Sequence, residues 1–167
     1  MLQLSQINHV LLEEGRRMNI TEKLQDIDLF SGLEGSQFNK LAEISEICTR
    51  KKDDYLFKVG EDAHHVYVLL GGKVSIQVPL SSRPEMVSIV ILSKEGQLIG
   101  WSGLMGPSHY TADAICLDDS TFLEIHGEEF FKVLESNKAG GFGVLQKIIT
   151  VISERLRNIQ RVVLKTM

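Results

Sequence analysis

The 167-residue chain has little of several things, and each scarcity excludes something. Two cysteines, Cys48 and Cys116, lie far apart and exclude a disulfide framework, a four-cysteine zinc site and a four-cysteine iron–sulfur cluster built from one chain. A reducing cytoplasm is the expected setting. Three prolines against 14 glycines point to tight turns rather than extended linkers. There is no excess of positive charge: 18 Lys and Arg stand against 22 Asp and Glu, a net charge of -4, so general nucleic-acid coating is not expected. Long apolar runs are absent. The longest near the N-terminus is Val10-Leu11-Leu12, far short of a spanning helix or an export signal, and neither a membrane span nor a leader is expected. Arg16-Arg17 has no apolar stretch behind it.

Hydrophobic residues make up 43% and charged residues 24%, enough apolar content for one ordinary core. The periodicity divides the chain into three parts: a helical extension over 1–27, a β-rich part with short helices over 28–143, and a long helix over 144–167. Leu4, Ile7 and Leu11 recur at helical spacing over 2–17, a helix that either lies on the domain or serves as a docking arm. Asn19, with Glu22 three positions on, reads as the cap of a second helix over 20–27. Ser36 reads as the cap of a short helix carrying Phe38, Leu41 and Ile44.

Beyond Ile47 the period becomes two. Strands are expected over 55–59, 66–70, 74–78, 86–92, 110–117 and 121–125, with a polar loop over 79–84. The 86–92 segment is rich in β-branched residues and reads as buried on both faces. Many short strands at near-regular spacing predict a mainly β fold with flanking α-helices, a jelly-roll-like β-roll. A short helix over 128–134 follows, then a glycine-rich break with Gly140 and Gly141 as a hinge. In the final helix Ile148, Ile152, Leu156, Ile159 and Val163 continue an a/d-like seam suited to a parallel homodimer, although packing on the roll could use the same face. From Leu145 onward five basic residues accompany one acid, which reads as a solvated face with cations near a helix C-terminus.

In this order the segments resemble the cyclic-nucleotide-binding domain of the cyclic AMP receptor protein-like (Crp/Fnr) family. The resemblance rests on Leu29-Phe30-Ser31-Gly32-Leu33 ahead of the roll and Val59-Gly60-Glu61-Asp62-Ala63 with Val66 to Val74 as a central hairpin. Gly96-Gln97-Leu98-Ile99-Gly100 opens the phosphate-binding cassette, and Phe130-Phe131 and Glu154-Arg155-Leu156 mark the last two helices. It implies a double-stranded β-helix that couples a bound small ligand to its C-terminal helices. In that family an Arg of the cassette pairs with the phosphate and a Glu accepts from the ribose 2′-hydroxyl.

Both side chains are changed here. Trp101 stands at the Glu position and Tyr110 at the Arg position. The cassette residues Gly100, Trp101, Ser102, Gly103, Leu104, Ser108, His109, Tyr110, Thr111 and Ala112 remain the expected ligand-binding set. Losing each charge-assisted hydrogen bond costs about 1.5–3 kcal/mol, and losing both cuts affinity by roughly two to four decades. The expectation is a non-catalytic sensor that binds cyclic nucleotides weakly, or another small ligand instead. Trp101 and Tyr110 either line an altered pocket or fill it; in the second case the chain is a ligand-free interaction domain. A third version is a true cyclic-nucleotide receptor, or the sensor half of a transcription regulator, with His109 as a conditional cation.

Other chemistry finds little support. His64 and His65 are adjacent, so on a strand they point to opposite faces and cannot chelate together. No H-x-H, H-E-x-x-H, G-x-S-x-G, phosphate loop or haem-attachment motif occurs, so neither metal, cofactor nor catalysis is expected. No helix-turn-helix follows the long helix within this chain, and direct DNA binding is not expected.

Overall fold

The fold was analysed in a computed structural model that describes residues 2–80 and 83–166. Two four-stranded antiparallel sheets face each other. One has the order β1 (Ser45–Arg50), β8 (Ser120–His126), β3 (His65–Gly71), β6 (Leu98–Ile99). The other has the order β2 (Tyr55–Phe57), β7 (Asp113–Cys116), β4 (Val74–Leu80), β5 (Arg83–Leu92). Helices α1 (Leu2–Asp26), α2 (Gly35–Glu43), α3 (Gly127–Ser136) and α4 (Lys138–Thr166) flank them. The expected β-roll with flanking helices is the observed architecture.

Alternation along β3 explains why there are two cores. Val66 and Val68 point to the helices, while Tyr67 and Leu69 point into the roll. The helix-side core gathers Leu24, Phe30, Leu41, Phe130 and Ile148 around the outer face of that sheet, with Phe30 and Phe130 meeting edge to face at 5.8 Å. The inner core, between the sheets, holds Phe57, Tyr67, Leu69, Ile76, Tyr110 and Phe122. Ile20, Leu24 and Ile27 belong to the helix-side core, so the last turns of the N-terminal extension are integral to the fold.

Several boundaries differ from the sequence reading. The two N-terminal helices are one, Leu2–Asp26, and Asn19 lies inside it, because nothing at Asn19 interrupts the backbone. The side chains of Leu4, Ile7 and Leu11 lie outside the described residues. α2 is capped by Glu34, not Ser36: Glu34 and Gln37 form a reciprocal capping box. Gln37 is buried and donates its Nε2 proton to the carbonyl of Val133 at 3.0 Å. The sequence reading did not single out β1 as a strand; it pairs with β8 along its whole length. The loop expected over 79–84 is largely strand, since Leu80 pairs with Arg83; Ser81 and Ser82 lie outside the described residues. β5 is an edge strand rather than doubly buried, with Ile89 and Leu92 inside and Ile91 exposed.

The C-terminal region needs two corrections. The long helix starts at Lys138, six residues before the expected Val144, so Gly140 and Gly141 lie in its first turn rather than in an open break. Only Asn137, in extended conformation, separates it from α3. These glycines permit close approach: a Cβ at Gly141 would lie 2.0 Å from the carbonyl oxygen of Leu134, and one at Gly140 would lie 2.4 Å from that of Gly32. Second, Ile148, expected in the dimer seam, is 4% exposed and sits in the helix-side core. Ile159 packs against the inner core. α4 therefore runs across both cores. A separate row on it, Phe142, Ile149, Leu156 and Val163, joined by Ile152, faces solvent at seven-residue spacing.

Candidate functional site

The cassette begins where β6 ends. Gly100 takes a left-handed conformation (φ 75°) that turns the chain into a 3₁₀ helix over Trp101–Leu104. A side chain at Gly100 would meet Phe57 at 3.0 Å and Tyr110 at 3.1 Å. Gly103 lies against the His65 backbone, and Leu104 enters the helix-side core. The return of the cassette is fixed by backbone hydrogen bonds to the turn after β2. Gly60 donates to the carbonyl of Tyr110 at 2.9 Å, Tyr110 donates to that of Glu61 at 2.9 Å, and Ala63 donates to that of Ser108 at 2.9 Å. Asp113, nearly buried, accepts from the Val59 amide at 2.8 Å.

This scaffold drives Tyr110 into the roll. Its ring is 5% exposed and stacks on Phe57 with centroids 3.8 Å apart and 10° between planes. Its hydroxyl donates to the His65 carbonyl at 2.7 Å. Burial pushes the Tyr110 phenol above the ordinary tyrosine range. Burial also raises the Tyr67 phenol, with Tyr110 and Glu124 adding to the effect. Cys48 is pushed up to about 11, first by burial and then by the Glu124 charge, so its thiol stays protonated at neutral pH.

What remains open inside the roll is a cavity of about 30 Å³. Of the ten cassette residues singled out from sequence, Gly100, Trp101, Ser102, Tyr110, Thr111 and Ala112 line it. Gly103, Leu104, Ser108 and His109 do not. His109 points outward, with Nε2 3.1 Å from an Asp62 carboxylate oxygen, because its backbone forms an antiparallel bridge with Asp62 at the rim. Ser108 serves through its carbonyl oxygen.

The wall also contains residues that sequence reasoning missed: Phe57, Ile76, Ile99 and Arg155. The first three follow from the period of their strands. Arg155 could have been found only by placing α4 over the roll. It is 6% exposed, and its guanidinium carbon lies 5.9 Å from the centroid of the Trp101 ring. Burial lowers its pKa from the ordinary arginine value, opposed by the Glu154 charge. Arg155 also borders a cleft of about 640 Å³ between α4, the start of the roll and the β5–β6 turn. Trp101 thus packs beneath α4 while Tyr110 fills the roll.

The histidines do not converge. His65 Nδ1 is 4.0 Å from Glu124, and its ring meets that of His126 edge to face at 5.6 Å. His126 caps α3 by accepting from the Glu129 amide. Among the described residues no group of three His, Cys, Asp or Glu side chains is placed to hold a metal ion, and no helix is long and apolar enough to cross a membrane.

Comparison with known proteins agrees with the geometry. The sensor domain of the transcriptional regulator DNR from Pseudomonas aeruginosa is 22% identical, with a TM-score of 0.70, and the match covers 84% of this chain and 93% of that one. A putative cyclic nucleotide-binding protein from Geobacter metallireducens is 25% identical, with a TM-score of 0.67, covering 81% and 96%. The regulatory subunit of a cAMP-independent protein kinase A from Trypanosoma cruzi, bound to guanosine, is 17% identical with a TM-score of 0.75, covering 92% and 52%. The chain thus spans about half the length of that subunit, as it does of the Trypanosoma brucei counterpart, where it covers 48%. No curated protein sequence matches the chain. The family model described as the cyclic nucleotide-binding domain matches residues 48–137, more than half of the sequence, and the chain belongs to that family.

Proposed function

We propose that this chain is a non-catalytic regulatory module that keeps the cyclic-nucleotide-binding fold but closes its pocket with its own aromatic side chains. The observation that carries this reading is Tyr110 stacked on Phe57, where the resemblance places a phosphate-binding Arg. The remaining 30 Å³ contrasts with the roughly 300 Å³ or more of ordinary ligand pockets. A cyclic nucleotide would have to displace the ring, break its hydrogen bond to His65, and bind without the carboxylate and cassette cation that recognise ribose and phosphate. The output element of this reading is α4, which touches both cores and presents Phe142, Ile149, Leu156 and Val163 to a second copy in a parallel helix pair.

The test is a titration of the full chain with cyclic AMP, cyclic GMP and guanosine, followed by fluorescence of the single tryptophan and by thermal unfolding. Guanosine is included because the Trypanosoma cruzi neighbour holds it. The expected result is no saturable response up to millimolar ligand. Saturable micromolar binding with stabilisation overturns the closed-pocket reading and makes the chain a nucleotide receptor.

A further inference from the structure

Arg155 is a buried cation that feels the Glu154 charge but is not ion-paired with it. Among the described residues no carboxylate forms an ion pair with it, and no hydrogen bond holds its guanidinium, although only 6% of the residue is exposed. Lys147, on the same helix, shows the ordinary arrangement: its ammonium lies 3.0 Å from an Asp28 carboxylate oxygen and 2.7 Å from the Ser31 hydroxyl. Buried charges are normally paired, because the loss of hydration is otherwise uncompensated. The Trp101 ring beside the guanidinium offsets part of that loss; among the described residues no fully buried side-chain nitrogen lacks a partner, so the unbonded N–H groups of the fork reach solvent, where an acceptor can meet them.

The surroundings define what could complete it. Arg155 borders both the 30 Å³ cavity and the 640 Å³ cleft, so a solute in the cleft reaches it without passing through the roll. Ser102 and Thr111 are the aliphatic hydroxyl-bearing residues of the cavity wall, the Tyr110 hydroxyl being donated to the His65 carbonyl, and the rest of that wall is largely apolar or aromatic. A guanidinium fork that shares a cavity wall with hydroxyls suits a planar or compact anion bound in bidentate fashion. The cavity is on the scale of one or two water molecules, which excludes a nucleotide and favours a small headgroup. Resting on the closed-pocket reading above, we propose that Arg155 and the cassette wall beneath it form a subsite for a short carboxylate or similarly small oxyanion. The cation comes from α4 rather than from the cassette, so the bound anion clamps α4 to the roll. Leu156, the next residue, belongs to the exposed row, and the clamp therefore couples the anion to the face presented to a second copy.

The experiment uses the full chain at constant ionic strength, with sodium chloride as the reference salt and sodium acetate, sodium phosphate and cyclic AMP as probes. Thermal unfolding and Trp101 fluorescence are followed for wild type, Arg155→Met and Arg157→Met, the last at an exposed neighbour. Acetate or phosphate should raise Tm saturably beyond chloride and change the fluorescence. Arg155→Met should weaken the response at least tenfold, and Arg157→Met should leave it intact. A response equal to that of chloride, or one that survives Arg155→Met, overturns the subsite. Should Arg155→Met fail to fold, Thr111→Val decides: an unchanged anion response overturns the proposal and a weakened one supports it. Cyclic AMP binding that persists in Arg155→Met sinks the closed-pocket reading by itself, whereas loss of the acetate and phosphate responses alone sinks only the subsite.

Discussion

Position 110 carries a neutral ring where the resemblance places a charged fork, and the energetic consequences follow from that exchange. The ring contributes a stacked contact with Phe57 and one hydrogen bond to the His65 carbonyl. Removing it by Tyr110→Ala empties an aromatic site in a close-packed core, for which the loss is about 3–5 kcal/mol. Tyr110→Phe keeps the ring and leaves one buried carbonyl without its donor, a loss of about 1–3 kcal/mol. Urea unfolding should rank wild type above Phe above Ala. If Tyr110→Ala is as stable as wild type, the ring is not the plug described here. The replacements themselves, Trp101 and Tyr110, could be read from the sequence. Whether they lined or filled the pocket could not, because the answer depends on Phe57, which comes from a strand more than fifty residues earlier in the chain.

Among the elements, α4 departs most from its expected form. A run containing Gly140, Gly141 and Gly143 reads locally as a break, since glycine weakens a helix. Tertiary packing overrides that preference, because Gly140 and Gly141 let two backbone segments approach within a distance that no side chain permits. Gly143 has nothing within 4 Å of a built Cβ and serves no such purpose. Gly141→Ala should therefore destabilise by about 3 kcal/mol or more, as an overpacked contact with rigid backbone does, while Gly143→Ala should stabilise by about 0.5–1 kcal/mol. Denaturant midpoints of the two variants check the pair, and equal midpoints would contradict the packing role of Gly141. The apolar period of this helix was legible, but its register was not. A sequence pattern shows that apolar residues recur; it does not show which row meets the roll and which faces away.

For the whole molecule, the two cores meet along α4. Val144 and Ile148 anchor its first half to the helix-side core, and Ile159 and Val162 rest on the inner core, so this helix touches both. A flank of the same helix, beside the buried face, is apolar and exposed at Phe142, Ile149, Leu156 and Val163. Solvated rows of this length and spacing gain from pairing. Light scattering at micromolar concentration should give a dimer for wild type and a monomer for Leu156→Glu, with the far-ultraviolet circular dichroism of the variant unchanged. A wild-type monomer across that range would remove α4 as the self-association face.

The sequence by itself determined the fold class, the order of helix, roll and helix, and the altered cassette. Those features are carried by local period, turn residues and motif order, which act over a few neighbouring positions. Helix ends, the burial of Ile148, the outward turn of His109 and the isolation of Arg155 were decided only by tertiary structure. Each depends on which surfaces distant segments cover, and the free energy of burying a side chain is set by those surfaces and not by its neighbours in the chain.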